Sequence, residues 1–348
     1  MCYSDTIKNR MGASRMQSKY GIARMEREVD KIAACALSLP EIADWPELVT
    51  LFEERKPRPD WLLPLMACEA VGGDVALAVP CGAAIACLQI SIILVDDILD
   101  DEADGAHHTY GNGPTANMAV ALQAAAFRFV LQADLAPETR AEITSCLAWM
   151  AHTTALGQYW DVQGPEEEDE YWKVVQKKST PFYAEAIRIG ALVGGASDEI
   201  SGSLRDFGIV LGELIQIRDD LVDAFKRPVN PDWVKGCSLP ILYARLVEHD
   251  YHVQFAELLP RVAAEPEVLE QAQEILIRCG ALSFCVYQWI ERFTKAHKLL
   301  NSLSLVDSSP LDDILMRQAR PLDNLLSPYA DSLPRELAQF FIERDDTP

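Results

Sequence analysis

An all-α helical bundle is the fold this sequence predicts, on three observations. Strand-like alternation of apolar and polar residues is scarce. Long segments rich in Ala, Leu, Ile and Glu recur instead, each broken from the next by Gly, Pro or Asp. Hydrophobic residues make up 49% of the 348, enough to fill one large core.

The elements follow in order. A first helix is predicted over 24–38, after a segment carrying Lys8, Arg10, Arg15, Lys19, Arg24 and Arg27. No apolar run follows those charges, so no secretory signal is read there. Pro57-Arg58-Pro59 punctuates the chain before a helix over 61–71. The helix over 79–100 contains the apolar run Gly82 to Val95 and ends in Asp96-Asp97-Ile98-Leu99-Asp100. Residues 74–95 carry only Asp74 as a charge, but they run into that acidic pentad and so read as a buried core helix, not a membrane span. Helices over 116–133, 138–160 and 169–193 come next, the last near the acidic run Glu166 to Glu170, which reads as solvated. The helix over 199–223 holds a second apolar run, Phe207 to Arg218, and ends in Asp219-Asp220-Leu221-Val222-Asp223. Helices over 239–246, 267–278 and 281–302 complete the set, with Pro228, Pro231 and Pro260 at segment ends. No Gly/Ser-rich linker divides the chain. Residues 1–20 read as a flexible extension, 21–330 as a single helical domain and 331–348 as a tail.

The two pentads share the form Asp-Asp-x-x-Asp, and each closes a long apolar run. On a helix, residues i and i+4 share a face, so Asp96 projects with Asp100 and Asp219 with Asp223. Clustered carboxylates at the end of a largely buried helix are costly unless something positive lies between them. Oxygen-only clusters suit a hard cation such as Mg²⁺, which takes a few carboxylates together with waters and substrate phosphates. Two helices facing each other across a metal-bound diphosphate are the reading.

At these residues the chain resembles the trans-isoprenyl diphosphate synthases, the polyprenyl synthetases of the class I isoprenoid enzymes. Glu69-Ala70-Val71-Gly72-Gly73 is similar to the family's Glu-Ala-x-Gly-Gly, and Gly113-Pro114-Thr115 to its Pro-Thr step. Gly157-Gln158 with Asp161 resembles its Gly-Gln-x-x-Asp, and Lys178-Ser179 stands where it has Lys-Thr. Gln216-Ile217-Arg218-Asp219-Asp220 is close to Phe-Gln-Ile-x-Asp-Asp, and Lys235 to Pro240 to Lys-x-x-x-Leu-Pro. The resemblance implies an isoprenoid synthase bundle with a central active-site cavity, an allylic prenyl diphosphate substrate, a homodimer and three Mg²⁺ ions. It implies Asp96, Asp97, Asp100, Asp219, Asp220 and Asp223 as metal residues, with Asp96, Asp100, Asp219 and Lys178 catalytic. Gln158, Asp161, Lys178, Gln216, Arg218 and Lys235 would bind the diphosphate. Ser91, Ile92, Cys87 and Leu88, on the turns below Asp96, would wall a deep pocket for a chain of about fifteen to twenty-five carbons, by family analogy.

The departures matter as much. Where the family has Arg-Arg-Gly-x-Pro-Thr, this chain reads Tyr110-Gly111-Asn112-Gly113-Pro114-Thr115, with no arginine. Where it has Gly-Lys-Arg-x-Arg-Pro, this chain reads Glu54-Arg55-Lys56-Pro57-Arg58-Pro59. Those basic residues help hold isopentenyl diphosphate in the family, a task suited to arginine forks. The allylic site therefore reads as intact and the co-substrate site as dismantled.

A net charge of −22 argues against nucleic acid and anionic membrane surfaces as partners. Nine scattered cysteines with no Cys-x-x-Cys pair read as free thiols in a reducing, cytoplasmic setting, and no zinc site is expected. The six histidines lack metal-ligand spacing, and His107-His108 reads as a solvated loop pair. Tyr159, Trp160, Phe182 and Tyr183 are equally candidates for the chamber wall, facing a carbocation, and for ordinary core.

Three functions compete. In the first, preferred from the missing arginines, the enzyme ionises a prenyl diphosphate and cyclises or quenches the cation, as a terpene synthase does. In the second it elongates the allylic chain with isopentenyl diphosphate, or transfers it to another acceptor. In the third it is a non-catalytic partner of an active homologue, which the complete pentads disfavour.

Overall fold

A computed structural model describes residues 21–54 and 59–327. The expected extension at 1–20, the tail at 331–348 and the basic residues Lys56 and Arg58 lie outside the described residues. The described chain is helical throughout and has no strand. Its helices are α1 (Ile22–Leu37), α2 (Pro46–Glu54), α3 (Leu63–Ala70), α4 (Val75–Asp100), α5 (Asn112–Gln132), α6 (Pro137–Asp161), α7 (Glu168–Lys178) and α8 (Thr180–Val193). They continue as α9 (Asp198–Ala224), α10 (Leu239–Leu246), α11 (His252–Leu258), α12 (Pro266–Arg278), α13 (Ala281–Ser302), α14 (Ser309–Arg317) and α15 (Ala319–Leu326).

One predicted helix is divided. The segment 169–193 forms α7 and α8, with Ser179 between them and Pro181 in the first turn of α8. Proline has no N–H to donate and is at home in a first turn, so the helix restarts there. The prediction also lacked α2, α11, α14, α15 and the four-residue helices Pro40–Ala43, His107–Tyr110 and Asp232–Lys235. Such short elements leave little periodicity to read.

Helix α4 lies at the centre. The Asp74 carboxylate accepts the Ala76 N–H at 2.9 Å and caps its start. Residues Cys81 to Ser91 are all buried, so the helix is apolar on every side and packs against α1, α3 and α5. It is the one helix among the described residues long and apolar enough to cross a membrane, and most of it is buried inside the protein. Helices α8 and α9 pack along each other, and α13 covers α9. A smaller apolar cluster surrounds Trp233, Phe255, Leu258 and Leu276. The Trp233 indole donates to the Ala224 carbonyl at the end of α9, 3.1 Å away. That bond fixes the helix Asp232–Lys235 against the end of the second pentad.

Candidate active site

The site begins at the last turn of α4. Asp96 and Asp100 project together there, and Asp161 at the end of α6 joins them; oxygens of all three carboxylates lie within 4.8 Å of one another. Gly157 explains how a lysine reaches this group. A Cβ at Gly157 would lie 2.2 Å from the Lys178 backbone nitrogen and 2.3 Å from the Lys177 carbonyl carbon. Only glycine lets the end of α7 lie so close to α6. Lys178 Nζ consequently sits 2.6 Å from Asp161 Oδ2 and 2.9 Å from Asp96 Oδ1. Burial opposes its charge, but Asp96 and Asp161 outweigh burial and raise its pKa. Gln158, one residue after the glycine, donates to the Ile92 carbonyl at 3.1 Å and points toward Asp96. Asp97 is half-buried and stands outside the three-carboxylate group.

The second pentad ends α9. Lys235, on the helix that Trp233 anchors, is salt-bridged to Asp100 of the first pentad. The ends of the two pentad helices are thus linked through the helix Asp232–Lys235. Burial raises Asp223 to about 6, and the like charges of Asp232, Asp219 and Glu102 push the same way. Asp219 takes two hydrogen bonds from its neighbour Arg218, at 2.6 and 2.9 Å, and Arg218 also donates to Gln318.

Asp220, expected as a metal residue, is bonded within the protein. It is 3% exposed, and its oxygens accept from Tyr171 Oη at 2.7 Å, the Leu239 N–H at 2.8 Å and Gln216 Nε2 at 2.7 Å. Burial nevertheless pushes it up to about 7. With those bonds it ties α7, α9 and the start of α10 together and acts as a structural post. Gln216 likewise faces this network, accepting from the Ser179 hydroxyl at 2.5 Å.

Sequence reasoning missed Asp232 and Tyr171. Both line a cavity of about 60 Å³ with Asp161, Lys178, Gln216 and Asp220. Asp232 stands three residues before Lys235, a helical spacing that offered a signal; Tyr171 offered none. Below the first pentad, Cys87, Leu88 and Ser91 are fully buried and Ile92 is partly buried. The buried Ser91 hydroxyl has no hydrogen-bond partner. Tyr159 is 63% exposed and so does not line a chamber; Phe182 is buried in core contact with Tyr183. His107 is buried rather than solvated, because the loop folds into the helix His107–Tyr110.

Three converging carboxylates with no nitrogen or sulfur among them fit a hard divalent ion such as Mg²⁺. A helical bundle that brings acidic pentads and two lysines together at one end suits the binding of a diphosphate through divalent ions. The comparisons specify it. The family model for polyprenyl synthetases matches residues 58–276, and the chain belongs to that family. It is 27% identical over 269 residues to a short chain isoprenyl diphosphate synthase of Methanothermobacter thermautotrophicus, covering 73% of this chain and 82% of the relative. It is 27% identical over 297 residues to a geranylgeranyl pyrophosphate synthase of Geoglobus acetivorans, covering 82% and 85%. The solved geranylgeranyl pyrophosphate synthetase of Pyrococcus horikoshii superposes with a TM-score of 0.75 at 20% identity, covering 86% of this chain and 97% of that one.

Proposed function

We propose that this protein is a Mg²⁺-dependent prenyltransferase that elongates an allylic prenyl diphosphate with isopentenyl diphosphate. The observation that carries the reading is the meeting of Asp96, Asp100 and Asp161 with Lys178 and Lys235. The relatives above are named as isoprenyl or geranylgeranyl diphosphate synthases, which supports elongation over the cyclisation preferred from the missing arginines.

In the reaction the allylic carbon–oxygen bond breaks and its electron pair leaves with the diphosphate. The barrier is mostly charge separation. Asp96, Asp100, Asp161 and Asp219 would hold Mg²⁺, which neutralises the leaving oxygens. Lys178 and Lys235 each present a charged donor beside those carboxylates. Cys87, Leu88 and Ser91, fully buried below Asp96, would wall the chamber and keep water from the cation. The alkene π pair of the second substrate then forms the new carbon–carbon bond, and the tertiary cation left behind loses a proton from the adjacent carbon, with the departed diphosphate as base, to restore a double bond.

A second reading, ionisation followed by cyclisation, is favoured by one observation: no arginine stands between Asp104 and Thr115. Product analysis separates the two. Purified protein, Mg²⁺ and farnesyl or geranylgeranyl diphosphate should give a longer prenyl diphosphate only when isopentenyl diphosphate is present. A hydrocarbon or alcohol formed without the co-substrate, and no elongation with it, would overturn the reading in favour of cyclisation.

A further inference from the structure

The loop after the first pentad brings together a second set of candidate ligands. Asp101, His107 and His108 each offer an atom, all within 4.8 Å of one another. His107 Nε2 lies 3.3 Å from Asp101 Oδ1, and His108 Nε2 lies 3.8 Å from the same oxygen. With metal–ligand distances near 2.1 Å, a tetrahedral zinc site spaces neighbouring ligand atoms about 3.4 Å apart. Both distances to Asp101 lie within a few tenths of an ångström of that.

The His107 ring is held in this orientation. Its side chain is 4% exposed, and a Cβ at Gly105 would lie 2.5 Å from its Nδ1. That Nδ1 is buried with no hydrogen-bond partner, so the ring's polar interaction is made through Nε2, toward Asp101. Nε2 is therefore the ring nitrogen that faces the cluster. The two imidazole rings lie 4.1 Å apart. His108 Nε2 now rests 3.0 Å from the Glu102 carbonyl, a contact that coordination replaces. The Asp101 side chain is 86% exposed, which leaves an open side to the cluster.

We propose that Asp101, His107 and His108 bind a divalent transition-metal ion of the zinc class, separate from the oxygen-only pentad site. Two imidazoles with one carboxylate select Zn²⁺, Co²⁺ or Ni²⁺ over Mg²⁺. Three protein ligands leave a fourth position for water or a phosphate oxygen. The ion adds positive charge to a segment that carries no arginine.

The test is a Co²⁺ titration of the full chain in saturating Mg²⁺, followed by visible absorption, with Zn²⁺ as competitor. The expected result is one Co²⁺ per chain, with the intense visible bands of a tetrahedral site, displaced by Zn²⁺. Both His107→Ala and His108→Ala should weaken binding by more than the roughly 10- to 100-fold cost of losing an outer-shell partner. Asp96→Ala should leave the bands in place. Because His108 is half exposed, His108→Ala serves if His107→Ala does not fold. Weak octahedral-type bands, thiolate charge-transfer bands, unchanged binding in His108→Ala, or loss of the bands in Asp96→Ala would each overturn the proposal. The readout requires no turnover, so it stands apart from the test of prenyl transfer.

Discussion

Replacing Gly157 with alanine tests how the site is assembled. The new Cβ would lie 2.2 Å from Lys178 N, 2.3 Å from Lys177 C and 2.5 Å from Lys178 Cα. Every one of these is a backbone atom, so no side-chain rotation relieves the clash. Ordinary carbon contacts begin at about 3.5 Å, which requires the end of α7 to retreat by roughly 1 Å. Lys178 holds Asp161 at 2.6 Å and Asp96 at 2.9 Å, and a retreat of that size breaks both bonds. A misplacement of about 1 Å in a catalytic constellation costs about 100-fold in rate. Overpacking of this kind also costs about 1–3 kcal/mol of stability. The assay is kcat/KM for prenyl diphosphate turnover, with circular dichroism and thermal melting as folding controls. We expect a folded Gly157→Ala enzyme with about 100-fold lower kcat/KM. Turnover within a factor of about two of the parent would refute the claim that this close approach positions Lys178.

Asp96→Ala and Asp219→Ala should each lower turnover by at least about 100-fold, by analogy with removing one transition-state donor, while melting close to the parent. Near-normal rates at saturating Mg²⁺ would remove that pentad from the mechanism. The metal-free protein should lose stability as pH rises from about 4 to about 7. Unfolded aspartates titrate near 3.9, whereas Asp223 and Asp220 hold their protons to about 6 and about 7 in the folded state. The folded state therefore binds more protons across that window, and deprotonation costs stability. Urea midpoints measured against pH check this, and Asp223→Asn should flatten the lower part of the curve. Ser91→Phe should shorten the accepted prenyl chain, read by product chromatography, since Ser91 is fully buried below Asp96. Sedimentation should show a dimer at micromolar concentration; a clean monomer would reject that expectation.

The bundle was legible because its long helices carry unbroken apolar runs, and the α4 and α9 pentads mark the ends of two of them. Lys178, Lys235, Gln158 and Asp161 were legible as motif members, and the structure brings Lys178 and Asp161 into contact. The inward turn of Asp220 was not legible, because a pentad does not reveal which of its carboxylates is buried; the bonds from Tyr171 and Leu239 decide that. His107 was misjudged because its burial depends on Gly105 and on a four-residue helix too short to show periodicity. The arginine-free segment was easy to see, but a local substitution pattern does not by itself specify a product.

The two lysines at the mouth have a consequence for how the site loads. Lys178 bridges Asp96 and Asp161, and Lys235 pairs with Asp100, so two ammonium charges offset two of the three carboxylate charges before any divalent ion arrives. They are resident counter-ions, so loading is an exchange of cations and not the filling of a bare anionic hole. Each ammonium released from its carboxylate gains a partner only if an anion enters with the metal. Diphosphate and divalent ion should therefore reinforce each other's binding, and thermodynamic linkage requires the coupling to be equal in both directions. Mg²⁺ alone should bind weakly, and inorganic pyrophosphate alone weakly too, with the tight state reserved for the pair.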